Sequence, residues 1–360
     1  MKTLPELLLD GPRGRRLCLE LAEELNPDVR NAVFRLGYEL DPGKGTSTVL
    51  FALSSDGPGD STGPGESPSL EDLAAALRSI DASGLTAAQL AAALECSVRN
   101  ARYWQEPDGD DVLAALPAIV EAFRPLAERV LATPTWRGWS QPRRPEQWAI
   151  DWRSAEDPAP LPRDPQQALS RWAEEIRAEE AQAARDRPES VYANYSGSWW
   201  SSPLRLLRTV GAIPAALTLV EDFPGWEEAT VIPVYGTGRT FEIQTAEDWI
   251  FLCRAYPLDV TASRRHDWFH TTGRDGSWVI PDWQRVAGEW DAVHLTIAGY
   301  LNTSGRALKV GRGTASVLAG WDPDSTLWLA DAAREADAPR QHWHRDLSED
   351  VWSRVRRPWQ

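Results

Sequence analysis

The chain has 360 residues, of which 42% are hydrophobic and 25% are charged, values typical of a globular protein of about two domains with a sizeable core. Collagen-like, wholly disordered and disulfide-scaffold classes are therefore excluded. The 53 acidic residues outnumber the 38 basic ones, and basic residues are not in excess in any third of the chain. We therefore expect neither nucleic acid nor an anionic membrane as a partner.

The cysteines indicate a reducing environment. Cys18, Cys96 and Cys253 are far apart in the sequence, so neither a disulfide framework nor a cysteine zinc site is predicted. The apolar run at residues 7–9 is too short for a signal-peptide core, and no stretch approaches the ~18 apolar residues of a membrane span. We expect a cytoplasmic protein.

The 19 tryptophans, all at or after Trp104, are the unusual feature of the composition. They fit either large rings in the core or an aromatic-lined ligand groove. Because they follow no fixed period, the core interpretation is favoured.

Residues 1–132 are predicted to form a helical domain. Helical spacing of apolar residues covers 15–39, 70–80, 85–94 and 110–132. Two prolines, Pro117 and Pro125, should break the last of these helices. The Pro- and Gly-rich residues 54–68 predict a flexible loop.

Residues 133–205 are predicted to be a Trp- and Pro-rich connector, extended over the surface, that ends with a long amphipathic helix at 164–187. Leu169, Trp172 and Ile176 form the apolar stripe of that helix. Asp164 followed by Pro165 is typical of a helix start.

Residues 206–360 are predicted to form a mixed β-sheet with short helices, which makes the whole chain α+β. Short β-favouring runs separated by turn residues predict the strands. The predicted strands cover residues 216–220, 230–234, 240–243, 293–298, 315–319 and 326–330. The predicted helices cover residues 245–256 and 283–290.

Residues 85–104 resemble a helix-turn-helix of the repressor type. The positions that fit that pattern are Leu85, Thr86, Leu90, Ala91, Leu94, Ser97 and Trp104. The resemblance implies that Arg99, Asn100 and Arg102 would face the major groove of DNA. Glu95 stands where the turn normally has glycine, and four acidic residues follow between 106 and 111, where they would repel phosphates.

Two histidines four residues apart, His266 and His270, resemble the paired zinc ligands of metalloproteases, with Asp267 in place of the glutamate base. His294 is the candidate third ligand. Residues 271–273 would end the helix almost at once, so no metal site is predicted.

A wider polar cluster surrounds these histidines and predicts a ligand site. We expect His266, His294 and Asp267 to be catalytic, because histidine can act as acid or base near neutral pH. Neighbouring arginines could hold a phosphate or a carboxylate. The predicted ligand-binding residues are Arg264, Arg265, His270, Arg274, Thr296 and Tyr300.

Residues 322–327 resemble the Asp-x-Asp-Gly-Thr loop of phosphatases. Ser325 replaces the glycine, and only 34 residues follow Thr326, too few for the parallel sheet that the phosphatase fold requires after that loop. A phosphatase is therefore excluded.

Three functions remain open from the sequence. The first is a C-terminal domain that binds or processes a small ligand, anionic and nucleotide-like molecules included. The second is an interaction or transcription-associated regulator that uses residues 85–104. The third is an NAD-dependent ADP-ribosyltransferase, which would need Glu289 or Glu242 as its glutamate. The sequence leaves the cofactor unknown, and a protein partner or a homo-oligomer is compatible with all three functions.

Overall fold

The computed structural model describes residues 3–45, 68–153, 157 and 160–355. These residues form fourteen α-helices and thirteen strands in two sheets, so the α+β prediction is confirmed. Except for residue 68, the predicted loop at 54–68 lies outside the described residues. None of the described helices has both the length and the apolar character needed to cross a bilayer.

The helices, in chain order, are α1 (Leu4–Asp10), α2 (Pro12–Leu25), α3 (Pro27–Leu40), α4 (Leu70–Arg78), α5 (Ala87–Arg99), α6 (Gly109–Ala114), α7 (Pro117–Ala122), α8 (Arg124–Ala132), α9 (Pro134–Trp139), α10 (Pro165–Asp186), α11 (Ala246–Ala255), α12 (Thr261–Thr272), α13 (Trp283–Val286) and α14 (Ile297–Thr303). The strands are β1 (Glu146–Asp151), β2 (Arg208–Val210), β3 (Glu228–Gly236), β4 (Thr240–Ile243), β5 (Pro257–Asp259), β6 (Ser277–Pro281), β7 (Ala292–Leu295), β8 (Leu308–Lys309), β9 (Thr314–Ser316), β10 (Ser325–Trp328), β11 (Ala333–Glu335), β12 (Gln341–Asp346) and β13 (Val351–Arg354).

Prolines set several helix boundaries in the N-terminal part. α2, α3 and α7 begin with proline, whose fixed φ suits the first helical position and whose missing N–H is not needed there. The predicted breaks are present, because α7 starts at Pro117 and α8 has Pro125 in its first turn. Ser69 and Thr86 cap α4 and α5 through capping boxes.

The larger sheet has the strand order β13-β12-β3-β1-β2-β10-β7-β4, and β11 also pairs with β3. All its pairs are antiparallel except β4 with β7. The smaller sheet has the order β5-β6-β9-β8. The prediction of a surface connector is therefore wrong for β1, which lies in the middle of the larger sheet. Six residues between Pro- and Arg-rich flanks are too few to display a clear period of two.

Two predicted strands also differ from the structure. Residues 216–220 contain only the end of a single 3₁₀ turn, Ala215–Leu217. The strand predicted at 293–298 ends at Leu295, because Thr296 caps α14 by accepting a hydrogen bond from the Gly299 N–H at 2.9 Å. A short apolar run fits a strand and a buried helix equally well, so periodicity cannot separate them.

One apolar cluster joins the helical part to the sheet part. It extends from Leu8 in α1 to Leu329 after β10, and α2 packs against both α5 and α14. Six tryptophans are fully buried, which supports the core interpretation for these rings: Trp249, Trp268, Trp278, Trp283, Trp321 and Trp328. The junction of the two parts is therefore a packed interface.

Candidate functional site

The fold does not bring the three predicted catalytic residues together. His266 and Asp267 lie on α12 and face residues 190–197: His266 Nε2 is 3.1 Å from the Ser190 carbonyl oxygen, and Asp267 accepts a hydrogen bond from the Gly197 N–H at 3.2 Å. His294 lies in β7 and bonds to side chains of β4 and of the turn before β10. Burial lowers the pKa of His266 and raises that of Asp267.

The three predicted arginines have structural partners. Arg264 is fully buried and its Nη1 donates to Glu179 Oε1 at 3.0 Å, which ties α12 to α10. Arg265 and Arg274 donate to backbone carbonyls. These hydrogen bonds hold neighbouring chain segments together.

The other predicted ligand-binding residues are also engaged. His270 Nδ1 lies 2.6 Å from a carboxylate oxygen of Glu106, and Thr296 is the cap of α14. The hydroxyl of Tyr300 lies 3.4 Å from that of Tyr103. No group of three potential ligands suited to a metal ion occurs among the described residues.

His294 lies between two carboxylates. Its Nδ1 is 2.6 Å from Glu242 and its Nε2 is 3.4 Å from Asp324. Burial disfavours protonation, but the hydrogen bonds to Asp324 and Glu242 and their charges outweigh it, so the pKa of His294 is raised. The β-sheet register places Thr326 directly beside His294, and Thr326 accepts a hydrogen bond from Gln147. This arrangement links β4, β7 and β10, and both His294 and Thr326 are buried within it.

The helix-turn-helix prediction is not matched by the local structure. Residues 87–99 form one continuous helix, α5, so the turn expected around Glu95 is absent. A non-glycine residue at that position favours continuation of the helix, which is the physical reason for the difference. Arg99 pairs with Glu95 and, at 3.0 Å, with Asp350, while Arg102 lies 3.4 Å from a carboxylate oxygen of Asp222. Asn100 donates to a backbone carbonyl.

A cleft of about 440 Å³ lies where the helical part meets the sheet part. We call it the junction cleft. Its walls are the start of α2, the segment from the end of α5 to α6, the end of α12 and the loop after α14. Its charged and hydrogen-bonding lining residues are Arg13, Arg15, Asn100, Arg102, Tyr103, Gln105, Glu106, Asp108, Asp111, Thr271, Thr272 and Arg306.

Two glycines allow the cleft wall to form. A Cβ on Gly11 would lie 2.0 Å from the Leu301 carbonyl oxygen, and one on Gly14 would lie 2.0 Å from the Leu8 carbonyl oxygen. Both distances are far below van der Waals contact, so only glycine lets α2 approach α14 and α1 this closely. This approach brings Arg13 and Arg15 to the cleft.

Two arginines of α2, Arg13 and Arg15, each have a side-chain N–H group without a hydrogen-bond partner. Arg13 is 2% exposed; it donates to the Ser97 carbonyl at 2.7 Å and pairs with Asp111, but its Nε has no partner. Arg15 donates through Nη1 to two backbone carbonyls, and its Nε also has no partner. Buried charged donors without partners are rare because their desolvation is costly.

Two further arginines line the same cleft. Arg306 lies 3.6 Å from a carboxylate oxygen of Asp10, and Arg102 is half-exposed. Burial lowers the pKa of both Arg15 and Arg306.

The acidic residues of the cleft wall are already paired. Asp108 and Asp111 pair with arginines of α2, and Glu106 bonds to His270. The lining holds four arginines, Arg13, Arg15, Arg102 and Arg306, against these three acids, so it contains one more cation than carboxylates.

A buried acid lies next to the cleft floor. Burial and the neighbouring Asp322 raise the pKa of Glu221 to about 8, although its Oε2 accepts hydrogen bonds from the N–H groups of Gly320 at 2.8 Å and Trp321 at 3.2 Å. The hydroxyl groups of Tyr300 and of the cleft-lining Tyr103 lie close enough to lower its pKa, but burial outweighs them. Glu221 is thus mostly protonated at neutral pH.

Asn100 and Arg102, expected from the sequence as DNA contacts, line the junction cleft, whereas the predicted ligand residue Tyr300 does not. The sequence did not indicate Arg13, Arg15, Arg306 or Glu221. One signal was present: residues 12–16, Pro-Arg-Gly-Arg-Arg, contain the densest group of basic residues in an otherwise acidic first third. Arg306 and Glu221 carry no comparable local signal.

Neither a family model, nor a curated protein, nor a solved structure matches this chain.

Proposed function

We propose that this protein binds a small anionic ligand, carrying a phosphate or a carboxylate, in the junction cleft. The observation that carries the proposal is the pair of partnerless Nε groups of Arg13 and Arg15 in one concave wall. Guanidinium groups form strong, directional hydrogen bonds with phosphates and carboxylates, and the side chains of both arginines line the cleft in which such an anion would bind.

The shape and charge of the cleft favour a small molecule over a polymer. A volume of about 440 Å³ falls in the range of small-molecule sites, about 300–1,000 Å³. The chain carries a net charge of −15, which opposes association with a polyanion. The polar residues Gln105, Thr271 and Thr272 could bind uncharged parts of the ligand.

Binding is better supported than chemistry in this cleft. The described lining contains no histidine, and Glu221 lies behind Tyr103. Neither glutamate considered for an ADP-ribosyltransferase, Glu242 or Glu289, lines the cleft, and Glu242 bonds to His294. The alternative of a transcription-associated regulator relied on a turn around Glu95, and that position lies within the continuous helix α5.

A thermal-shift screen tests the proposal. The panel is inorganic phosphate, pyrophosphate, ADP and citrate, with chloride at equal ionic strength as the reference. We expect at least one polyvalent anion to raise the melting temperature, because a ligand that binds only the folded state stabilises it. The same anion should give a smaller shift with Arg15→Gln. If no anion raises the melting temperature of the wild-type protein above the chloride reference, the proposal is wrong.

A further inference from the structure

A second cavity, of about 390 Å³, lies where the larger sheet opens. β1 pairs with β3 along its whole length but with β2 only through Trp148 and Val210. Beyond this bridge the two strands diverge, and Ala149, Ile150 and Asp151 on one side face Leu206 and the neighbouring residues of the β2 segment on the other. We call this space the sheet cavity.

The walls of the sheet cavity are predominantly apolar. The large apolar side chains include Ile150, Trp152, Leu161, Leu206, Val220 and Ile232. Such a surface favours an apolar molecule, because removing apolar area from water contributes about 25 cal/mol per Å².

Four charged residues line the same cavity: Asp151 and Arg153, which pair with each other at 3.0 Å, and Arg208 and Asp322. Arg208 Nη2 donates to the neutral acceptors Ser202 Oγ at 2.6 Å and Pro203 O at 3.1 Å, and the guanidinium lies 5.7 Å from the ring centre of Trp321. Within the described part of the chain, Arg208 forms no ion pair with a carboxylate at 4 Å or less.

Asp322, like Arg208, has a hydrogen-bond partner but no ion-pair partner among the described residues. Its Oδ1 accepts a hydrogen bond from the Glu221 N–H at 3.0 Å, and its carboxylate pairs with no cation of the described residues within 4 Å. Burial raises the pKa of Asp322 and lowers that of Arg208. The charges of Arg208 and Asp322 attract each other, but the two groups form no ion pair within 4 Å, so this attraction restores the lost solvation of each group only in part.

We propose that the sheet cavity binds a small zwitterion with an apolar body, the chemistry of an apolar α-amino acid. The ligand carboxylate would pair with Arg208, the ligand ammonium group would pair with Asp322, and the apolar body would occupy the space between β1 and β2. A zwitterion neutralises both groups at once, whereas an anion would face Asp322 and a cation would face Arg208. This site is separate from the junction cleft and does not depend on the function proposed there.

Isothermal titration calorimetry with defined probes tests this proposal. L-Leucine and L-phenylalanine are the full ligands. Isocaproic acid lacks the ammonium group of leucine, isoamylamine lacks its carboxylate, and glycine lacks the apolar body. We expect the two full amino acids to bind and each of the three reduced probes to bind at least tenfold more weakly.

Variants assign the binding to the cavity. Arg208→Gln and Asp322→Asn should each weaken leucine binding at least tenfold; the asparagine keeps the Oδ1 acceptor for the Glu221 N–H. Arg208→Lys keeps the charge and should retain part of the affinity, which separates loss of the ligand contact from loss of the fold. Arg205→Gln, at a neighbouring exposed arginine that does not line the cavity, is the matched control and should bind as the wild type does.

The proposal is overturned if neither amino acid binds the wild-type protein at millimolar concentration. It is equally overturned if isocaproic acid or isoamylamine binds as tightly as leucine, or if Arg208→Gln or Asp322→Asn, when folded, binds leucine with wild-type affinity.

Discussion

Glu221 illustrates how one buried side chain can make the stability of the protein depend on pH. Its pKa is raised from 4.5 in the unfolded chain to about 8 in the folded protein, so folding favours the protonated form. The stabilisation is complete below pH 4.5 and is lost as pH rises towards 8. The expected loss is about 1.4 kcal/mol per pH unit within this window.

The first prediction concerns Glu221→Gln, which keeps the shape of the side chain but cannot ionise. Between pH 5 and pH 8 the free energy of unfolding of the wild type should fall relative to that of the variant. Urea unfolding followed by tryptophan fluorescence measures the difference. Parallel stability–pH curves for the two proteins would show that Glu221 does not titrate in this way.

His294 is a base rather than an acid, but its contribution to the stability of the protein decreases with rising pH, as that of Glu221 does. Its folded pKa is raised above 6.5 by its two carboxylate partners in spite of burial, so the protonated form is stabilised by folding. That stabilisation is present below pH 6.5 and decreases as pH rises through the folded pKa.

The second prediction is that His294→Gln destabilises the protein more at pH 5.5 than at pH 8.5. Loss of the bonds to Glu242 and Asp324 should cost about 1–3 kcal/mol at the lower pH. His344→Gln, at an exposed position in β12, is the control and should leave both values nearly unchanged. An equal cost at both pH values would refute the role given to the imidazolium.

At the scale of elements, the position of α2 depends on close backbone approach. Because a Cβ at Gly14 would lie 2.0 Å from the Leu8 carbonyl oxygen and 2.8 Å from Leu8 Cδ1, a substitution there must displace α1 or α2.

The third prediction is that Gly14→Ala lowers the free energy of unfolding by several kcal/mol through this overlap, as overpacking substitutions do. Gly138→Ala, in α9, is the matched control because its Cβ meets nothing within 4 Å. There, alanine should stabilise the protein by about 0.5–1 kcal/mol. Chemical denaturation of both variants measures the contrast, and a neutral Gly14→Ala would contradict the packing described.

The sequence predicts the long, regular elements and some short strands, such as β4 at Thr240–Ile243, but not others, such as β1. The prediction at 164–187 agrees with α10, Pro165–Asp186, because an apolar stripe of six turns exceeds any competing signal. β1 was missed because its pairing partners, β2 and β3, lie far along the chain and are set by tertiary structure. The helix-turn-helix resemblance failed locally because a good helix former at 95 continues α5.

At the scale of the whole molecule, the junction cleft exists because the helical part and the sheet part share one core. Its arginines come from α2, from the segment after α5 and from the loop after α14, so no single segment of sequence contains the site. The predicted cluster around His266 was a group of neighbours in sequence that the fold distributes between α12 and β7. Residue types suited to binding or catalysis can be recognised in the sequence, but which of them lie close together in space depends on the fold.

The central claim is that Arg13 and Arg15 make the junction cleft an anion site. The most direct measurement is calorimetric titration of pyrophosphate into the wild type, Arg15→Gln and the control Arg35→Gln, which changes an exposed arginine of α3 outside the cleft. We expect saturable binding of pyrophosphate to the wild type and to the control. The affinity of Arg15→Gln should be at least tenfold lower, because a charge-assisted hydrogen bond contributes about 1.5–3 kcal/mol. Equal affinities for all three proteins, or no saturable binding to any of them, would contradict this claim.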